Sequence, residues 1–564
     1  MSTDAAASPA ESAAGAGTGA GTGKVVLATL AAAQFLMALD SSVMNVSIAT
    51  VASDVGTTVS GIQGAITAYT LVMAAFMIPG GKIGAMIGRK RAFMIGCVVY
   101  GCGSLTTAIA PSLPVLLFGW SLLEGLGAAL ILPAVVALVA LNFPTERRPA
   151  AYGLIAASAA VAIGLGPLIG GFATTYFSWR WVFAGEVAVV LGILALARHV
   201  IDRPSGGRPH FDLLGAFLSA GGLGIFVYGV LRTSEWGWFV PKPGGPSWLG
   251  ISASVWVMLA GVLVVWLFLQ WQTHLLHRGR DPLVDPGLFA NRQLSGGLTM
   301  FFLQFLVQMG VFFVVPLYLS VALGLSAIKT GVHILPLSLS LLAAAVLIPK
   351  LYPQASPRLV VRLGVLGLFA GALALTAAIN ADSSAAVVTI PLLLIGLGMG
   401  ALASQLGAVT VSALPDSRSA EVGGVQNTVT NLGSSIGTAL AGSILIGTLT
   451  SSFLTTIEKN PAVPASVSAQ ASTKLAAGAP FLSDAQLSAA LTEAGVPPQQ
   501  AEAAMQANAS ARLVAVRAAL AILALVALVA LFFTGRIPKR QPEGHVAGSG
   551  GKSEKSQKPE QTAP

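Results

Sequence analysis

The sequence predicts an all-α membrane protein with fourteen transmembrane helices, and three observations predict it. Of the 564 residues, 54% are hydrophobic and only 9% are charged, against about 25% charged in a typical soluble domain. Apolar runs of about 20 residues, each long enough to cross a bilayer as a helix, recur along the whole chain. Lys and Arg cluster in every second connection, as the positive-inside rule requires. The net charge of +9 is therefore read as an orientation signal. No stretch alternates basic and aromatic residues like a nucleic-acid groove, so no nucleic-acid partner is expected.

Taken in order, residues 1–23 are mostly Ala, Gly, Ser and Thr and are expected to be disordered. Spans are expected near 25–49, 62–82, 92–111, 114–141, 150–174, 179–201, 211–232, 249–272, 295–322, 328–350, 359–380, 386–413, 420–449 and 512–533. The first run is too long for a cleaved signal peptide, holds an acid and lacks an Ala-x-Ala exit. An even span count puts both termini on one side. About 23 of the 31 Lys and Arg then fall on that side, which is expected to be cytoplasmic. Trp179, Trp181, Trp236, Trp238 and Trp248 fall at outer span ends and suggest an interfacial aromatic belt. Cys97 and Cys102, five positions apart in one helix, point to different sides and are expected to be buried free thiols. In the long outer segment 450–511, "LSDAQLSAALTEAGV" suits a short amphipathic helix capped by Ser483 or Asp484. The basic, polar stretch 534–564 is expected to be a disordered tail.

The two halves look loosely equivalent. Six spans precede the pair at 211–272 and six follow it, and each six has a basic inner loop after its second span. The expected division is a six-helix bundle at 24–201, a linker with two extra helices at 202–280, and a second bundle at 281–533. Such repetition is the architecture of rocking-bundle transporters.

Two glycine-rich stretches stand out. In "GGKIGAMIGRKRAFMIG", Gly81, Gly84 and Gly88 allow a tight turn and close helix approach. Arg89, Lys90 and Arg91 hold that turn at the cytoplasmic face. The loop serves either conformational gating or topology alone. In "AIGLGPLIGGF", Gly164, Gly166, Gly170 and Gly171 clear side chains from one helix and Pro167 removes a backbone hydrogen bond. This is a helix-packing seam, and a kinked one that can change shape during transport.

These stretches together resemble the major facilitator superfamily, in particular its fourteen-helix drug:proton antiporter branch. The family's loop signature Gly-x-Leu-x-Asp-Arg-x-Gly-Arg-Lys is similar to "GKIGAMIGRKR". Its fifth-helix signature Gly-x-x-x-Gly-Pro-x-x-Gly-Gly is similar to "AIGLGPLIGG", and its first-helix signature to "LDSSVMNVSIA", with "SWRWVF" before span six fitting as well. The resemblance covers about 25–535. It implies a fold of two six-helix bundles plus a two-helix central insertion. It also implies a multi-pass plasma-membrane transporter that exports amphipathic or cationic drugs or metabolites in exchange for protons. Three positions depart from the family pattern. Ala85 and Met86 replace the loop's Asp and Arg; Ser121 and Glu124 replace the Arg and Gln of the fourth helix; Glu186 stands where the sixth helix often has Asn. The lost Asp and Arg leave open a facilitator or uniporter, or a metabolite exporter, without the usual proton coupling.

Asp40, Glu124 and Glu186 are acids inside three different spans of the first half. A central Asp costs about 2.5–3.5 kcal/mol on insertion scales, so such a group is expected to face the bundle interior. Removal from water favours a neutral carboxyl group, and readmission of water favours release of its proton. An acid with alternating exposure is therefore a proton carrier, and its charge attracts a cationic substrate. The bland alternatives are a structural hydrogen-bonding role for Asp40, a passive vestibule wall for Glu124 and an interfacial position for Glu186. Asn45, Gln304, Gln308, His333, Gln426 and Asn427 are candidate cavity-lining residues, or else interhelical hydrogen-bond partners.

An enzyme is not expected. No His/Cys metal-ligand spacing, Gly-x-Ser-x-Gly elbow or phosphate-binding Gly-Lys-Ser/Thr loop occurs. No cofactor and no metal are implied. The expected partners are a small-molecule substrate, protons and the lipid bilayer, with the chain acting as a monomer.

Overall fold

Side chains that satisfy the first free N–H groups mark where several helices begin. Thr58 accepts from Gly61 N, Asp212 from Gly215 N at 2.8 Å, and Asn291 from both Gln293 N and Leu294 N at 2.9 and 3.1 Å. Ser483 forms a reciprocal capping box with Gln486. In this computed structural model the described residues are 20–144, 148–202, 212–242, 244–380, 383–414, 419–461, 463–464, 475 and 479–540.

The helices are α1 (Ala20–Asp54), α2 (Val59–Ile87), α3 (Arg89–Ala108), α4 (Leu113–Leu116), α5 (Gly125–Asn142), α6 (Arg148–Tyr176) and α7 (Arg180–Leu196). A π-helical segment, Leu117–Glu124, joins α4 to α5. Then come α8 (Leu213–Trp236), a two-residue hairpin of β1 (Ser247–Trp248) and β2 (Ile251–Ser252), and α9 (Ala253–His277). The second half holds α10 (Arg292–Leu317), α11 (Ala327–Leu351), α12 (Pro357–Ala378), α13 (Thr389–Val411), α14 (Ser419–Glu458), α15 (Asp484–Glu493) and α16 (Pro498–Phe533). Among the described residues, twelve helices are long and apolar enough to cross a membrane, thirteen if bent α6 counts as one span. Helix α3 is less apolar but packs against α5 and α7. The set is consistent with the expected fourteen.

Packing repeats between the halves. α1 lies on α6 as α10 lies on α14; α3 bridges α5 and α7 as α12 bridges α13 and α16. Across the seam, α6 packs on α11 and α14 packs on α2, so each half offers its fifth span to the other's second. The pair α8–α9 sits beside α2 and α14.

That seam is closed tightly at the face carrying Asp54. Gln63 Nε2 donates to Thr438 O and Ala439 O, and Ser435 Oγ donates to Thr67 O at 3.0 Å. Ile328 N donates to Thr175 Oγ1, and Gly331 meets the Pro167 carbonyl so closely that a Cβ there would lie 2.2 Å from the oxygen. At the opposite face, which carries Gly88, α2, α5 and α14 instead border a cavity of about 380 Å³.

Several expectations change. Trp179 belongs to no interfacial belt: it is 1% exposed, donates to Asp54 at 2.9 Å and stacks edge-on with Phe183. The exposed Asp54 carboxylate at the end of α1 gives the buried indole its N–H partner. Cys97 is buried but Cys102 is exposed, on the same side of α3 as the exposed Ile95, Val98 and Leu105. Residues 20–23 are already helical, whereas 1–19 lie outside the described residues. Beyond α16 the chain does not leave the bundle at once. Arg358 donates to Ile537 O and Pro538 O, and Ile537 is fully buried. Residues 541–564, Arg147, Arg203 and Arg208 lie outside the described residues, as does most of 462–478.

Candidate functional site

The three acids converge. Asp40 comes from the middle of α1, Glu124 from the end of the π-helical segment and Glu186 from α7. All are buried, at 0%, 0% and 2% exposure, and one carboxylate oxygen of each lies within 4.8 Å of the others. At that separation two charges repel by roughly 3–4 kcal/mol for an effective dielectric constant of about 20. Among the described residues the ion pairs lie elsewhere, and no Lys or Arg bridges to the trio.

The surrounding helices supply neutral donors. Trp120 Nε1 donates to both Asp40 oxygens, at 2.8 and 3.1 Å. Its ring is stacked on Tyr69 of α2, with centroids 5.1 Å apart. On α3, Tyr100, Ser104 and Thr107 fall on one helical stripe. Tyr100 Oη and Ser104 Oγ donate to Glu186 Oε2 at 3.2 and 3.0 Å, and Thr107 Oγ1 donates to Glu124 Oε1 at 3.2 Å. Gly103, on the same helix, makes room for Glu124: a Cβ there would lie 2.6 Å from Glu124 Cγ. The wider turn of the π-helical segment carries Trp120, Ser121 and Glu124 together; such bulges recur at functional sites. Ser121, which replaces the family's Arg, donates to Ala65 O at 2.8 Å and ties this segment to α2. Glu186 is therefore not interfacial, and Glu124 does not face an open vestibule.

The glycine seam of α6 also has a definite arrangement. Gly166 and Gly170 press on Ser42 and Val43 of α1, and Gly171 presses on Ala327 and Ile328 of α11. Pro167 cannot bond to the carbonyl of Ile163, four residues earlier. That carbonyl instead meets Ser42 Oγ at 3.5 Å and Ser338 Oγ at 3.4 Å, one from each half. Gly164 lies on α6, with its surroundings outside the described residues.

The loop before α3 turns at Gly88, whose φ of +99° favours glycine. Asp202 reaches this turn from beyond α7 and accepts from Lys90 N at 3.2 Å, while Lys90 Nζ donates to Arg198 O. Gly81, Ala85 and Arg89 line the cavity at this face. Arg91 lies beside Gly88. The turn at Gly88, three residues past Ala85, thus has a carboxylate from elsewhere in the chain beside it.

The polar candidates divide. Asn45, Gln304 and Gln308 are buried, and Asn45 Oδ1 and Gln304 Oε1 have no hydrogen-bond partner. Gln426 accepts from Thr410 at 2.7 Å, and the Asn427 carbonyl accepts from Asn431. His333 is half-buried, and its Nδ1 contacts Lys329 O in its own helix at 2.8 Å. It is not gathered with the acids. Trp120, Tyr69, Tyr100, Ser104 and Thr107 were not among the sequence candidates. The i, i+4 spacing of Trp120 and Glu124 and the polar stripe on α3 were the available signals.

Two pseudo-equivalent helical bundles, the first built around buried acids, are the architecture of a membrane transporter. The chain belongs to the Major Facilitator Superfamily, whose family model matches residues 30–438. It is 31% identical over 453 residues to the puromycin resistance protein pur8 of Streptomyces alboniger, covering 79% of this chain and 86% of that protein. It is 27% identical to a probable actinorhodin transporter of Streptomyces coelicolor, covering 75% and 72%. Among solved structures, the peptide transporter POT in complex with sulfate shares the fold, with a TM-score of 0.54, 16% identity and coverage of 91% and 96%.

Proposed function

We propose that this chain is a proton-coupled exporter of amphipathic or cationic organic compounds. It works as a monomer in the plasma membrane with both termini in the cytoplasm. The observation that carries this reading is the trio Asp40, Glu124 and Glu186, buried together with neutral donors and no basic partner. Carboxyl groups held this way are stable when protonated and attract a cation when ionised. Relatives named for puromycin resistance and actinorhodin transport support bulky organic antibiotics as cargo. The interlocked Asp54 face corresponds to the extracellular gate, and the Gly88 face, with its cavity, to the cytoplasmic entrance.

Inverted vesicles carrying the protein test this reading. An imposed proton gradient is expected to drive a lipophilic cationic dye across the membrane, and Asp40→Asn is expected to abolish that movement. Ala85 and Ser121, where the family carries Asp and Arg, favour a second reading as a facilitator. Dye movement indifferent to the gradient selects that second reading.

A further inference from the structure

The three acids are bonded unequally. Both oxygens of Asp40 accept from Trp120 Nε1. Glu124 accepts from Thr107 on Oε1 only, and its buried Oε2 has no partner. Glu186 accepts twice on Oε2, from Tyr100 and Ser104, and its buried Oε1 has no partner. An ionised carboxylate is an acceptor on both oxygens, whereas a protonated one carries a donor of its own. A buried carboxylate oxygen without a donor leaves the ionised form poorly stabilised, so Glu124 and Glu186 favour the neutral form more than Asp40 does. A further buried group points into the same place from another helix. The Tyr69 hydroxyl lies beside Asp40, in a residue only 1% exposed.

We propose that Glu124 and Glu186 each hold one exchangeable proton while Asp40 stays the fixed anion, so that two protons enter for each cargo molecule that leaves. This rests on the proton-coupled reading above and adds the count and the division of labour. The groups facing the trio are Tyr69 from α2, Tyr100, Ser104 and Thr107 from α3, and Trp120 from the π-helical segment; none is a cation. Two protons leave a single charge among three neighbouring carboxyl groups. When water reaches the site from the cytoplasm both protons depart, and a cationic cargo takes their place beside Asp40. For a monocation, two protons inward and one cargo outward move one net positive charge inward per cycle.

The direction of dye movement in a membrane potential tests this. Full-length protein in liposomes is given ethidium and a potassium diffusion potential set by valinomycin, with no pH gradient. The expected result is protein-dependent accumulation of ethidium on the positive side, against its own charge, because two protons move the other way. Glu124→Gln and Glu186→Gln are each expected to remove this response while a pH gradient still drives slower movement. Wild-type transport that follows a pH gradient but ignores the potential means one proton per cargo and overturns the proposal. A variant that keeps the full potential response overturns the role of its glutamate. Movement toward the negative side, or none under either gradient, defeats the proton-coupled reading itself. Should both variants fail to insert, the sign of wild-type movement alone decides.

Discussion

Trp120 donates its one indole N–H to both oxygens of Asp40, at 2.8 and 3.1 Å, across the interface between the π-helical segment and α1. A hydrogen bond to a charged group contributes about 1.5–3 kcal/mol. Trp120→Phe keeps the stack on Tyr69 and deletes only the donor. It is expected to cut gradient-driven dye transport at least tenfold with membrane expression intact, read by vesicle transport alongside an immunoblot.

Gly103 is the second pressure point. A methyl group there would meet Glu124 Cγ at 2.6 Å and the Gly119 carbonyl at 2.7 Å. Overpacking of this kind costs about 1–3 kcal/mol. Gly103→Ala is expected to lower the melting temperature of the purified protein and to displace Glu124, reducing transport. An unchanged melting curve would show that α3 and the π-helical segment separate freely.

Closure at the Asp54 face depends on Gly331. Its backbone approaches Pro167 O more closely than any side chain permits. Gly331→Ala is expected to hold α6 and α11 apart. In a background with Cys97→Ala and Cys102→Ala, Ser435→Cys is then expected to react faster with an impermeant maleimide added from that face. Equal labelling rates with and without the Gly331→Ala substitution would refute this.

Arg512 pins the segment before α15 to the bundle. It is 2% exposed and donates to Val321 O, Leu482 O and Asp484. Arg512→Met removes the donor to the buried Val321 carbonyl, worth about 1–3 kcal/mol, and leaves Leu482 O with Asn508 Nδ2 alone. Faster proteolysis between 479 and 493 is expected, with transport by the intact protein retained.

The spans and the pseudo-repeat were legible because hydropathy and loop charge depend only on local sequence. Asp40, Glu124 and Glu186 were legible singly, since each is an acid in an apolar run. Their meeting was not, because 84 residues separate Asp40 from Glu124 and helix packing brings them together. The cap before α15 was legible as either Ser483 or Asp484, and the reciprocal bond with Gln486 selects Ser483. Trp179 misled because position along a span says where a residue lies in depth, not whether a carboxylate awaits its indole.

The buried acids all come from α1–α7, while the buried polar side chains Gln304 and Gln308 come from α10. On the proposed reading the driving force is confined to the N-terminal half, while Gln304 and Gln308 add to cargo recognition from the other half. A hybrid joining this N-terminal half to the C-terminal half of a relative should keep its own power source while its drug profile shifts toward the relative's. Such modularity gives evolution a route to new resistance without rebuilding the motor.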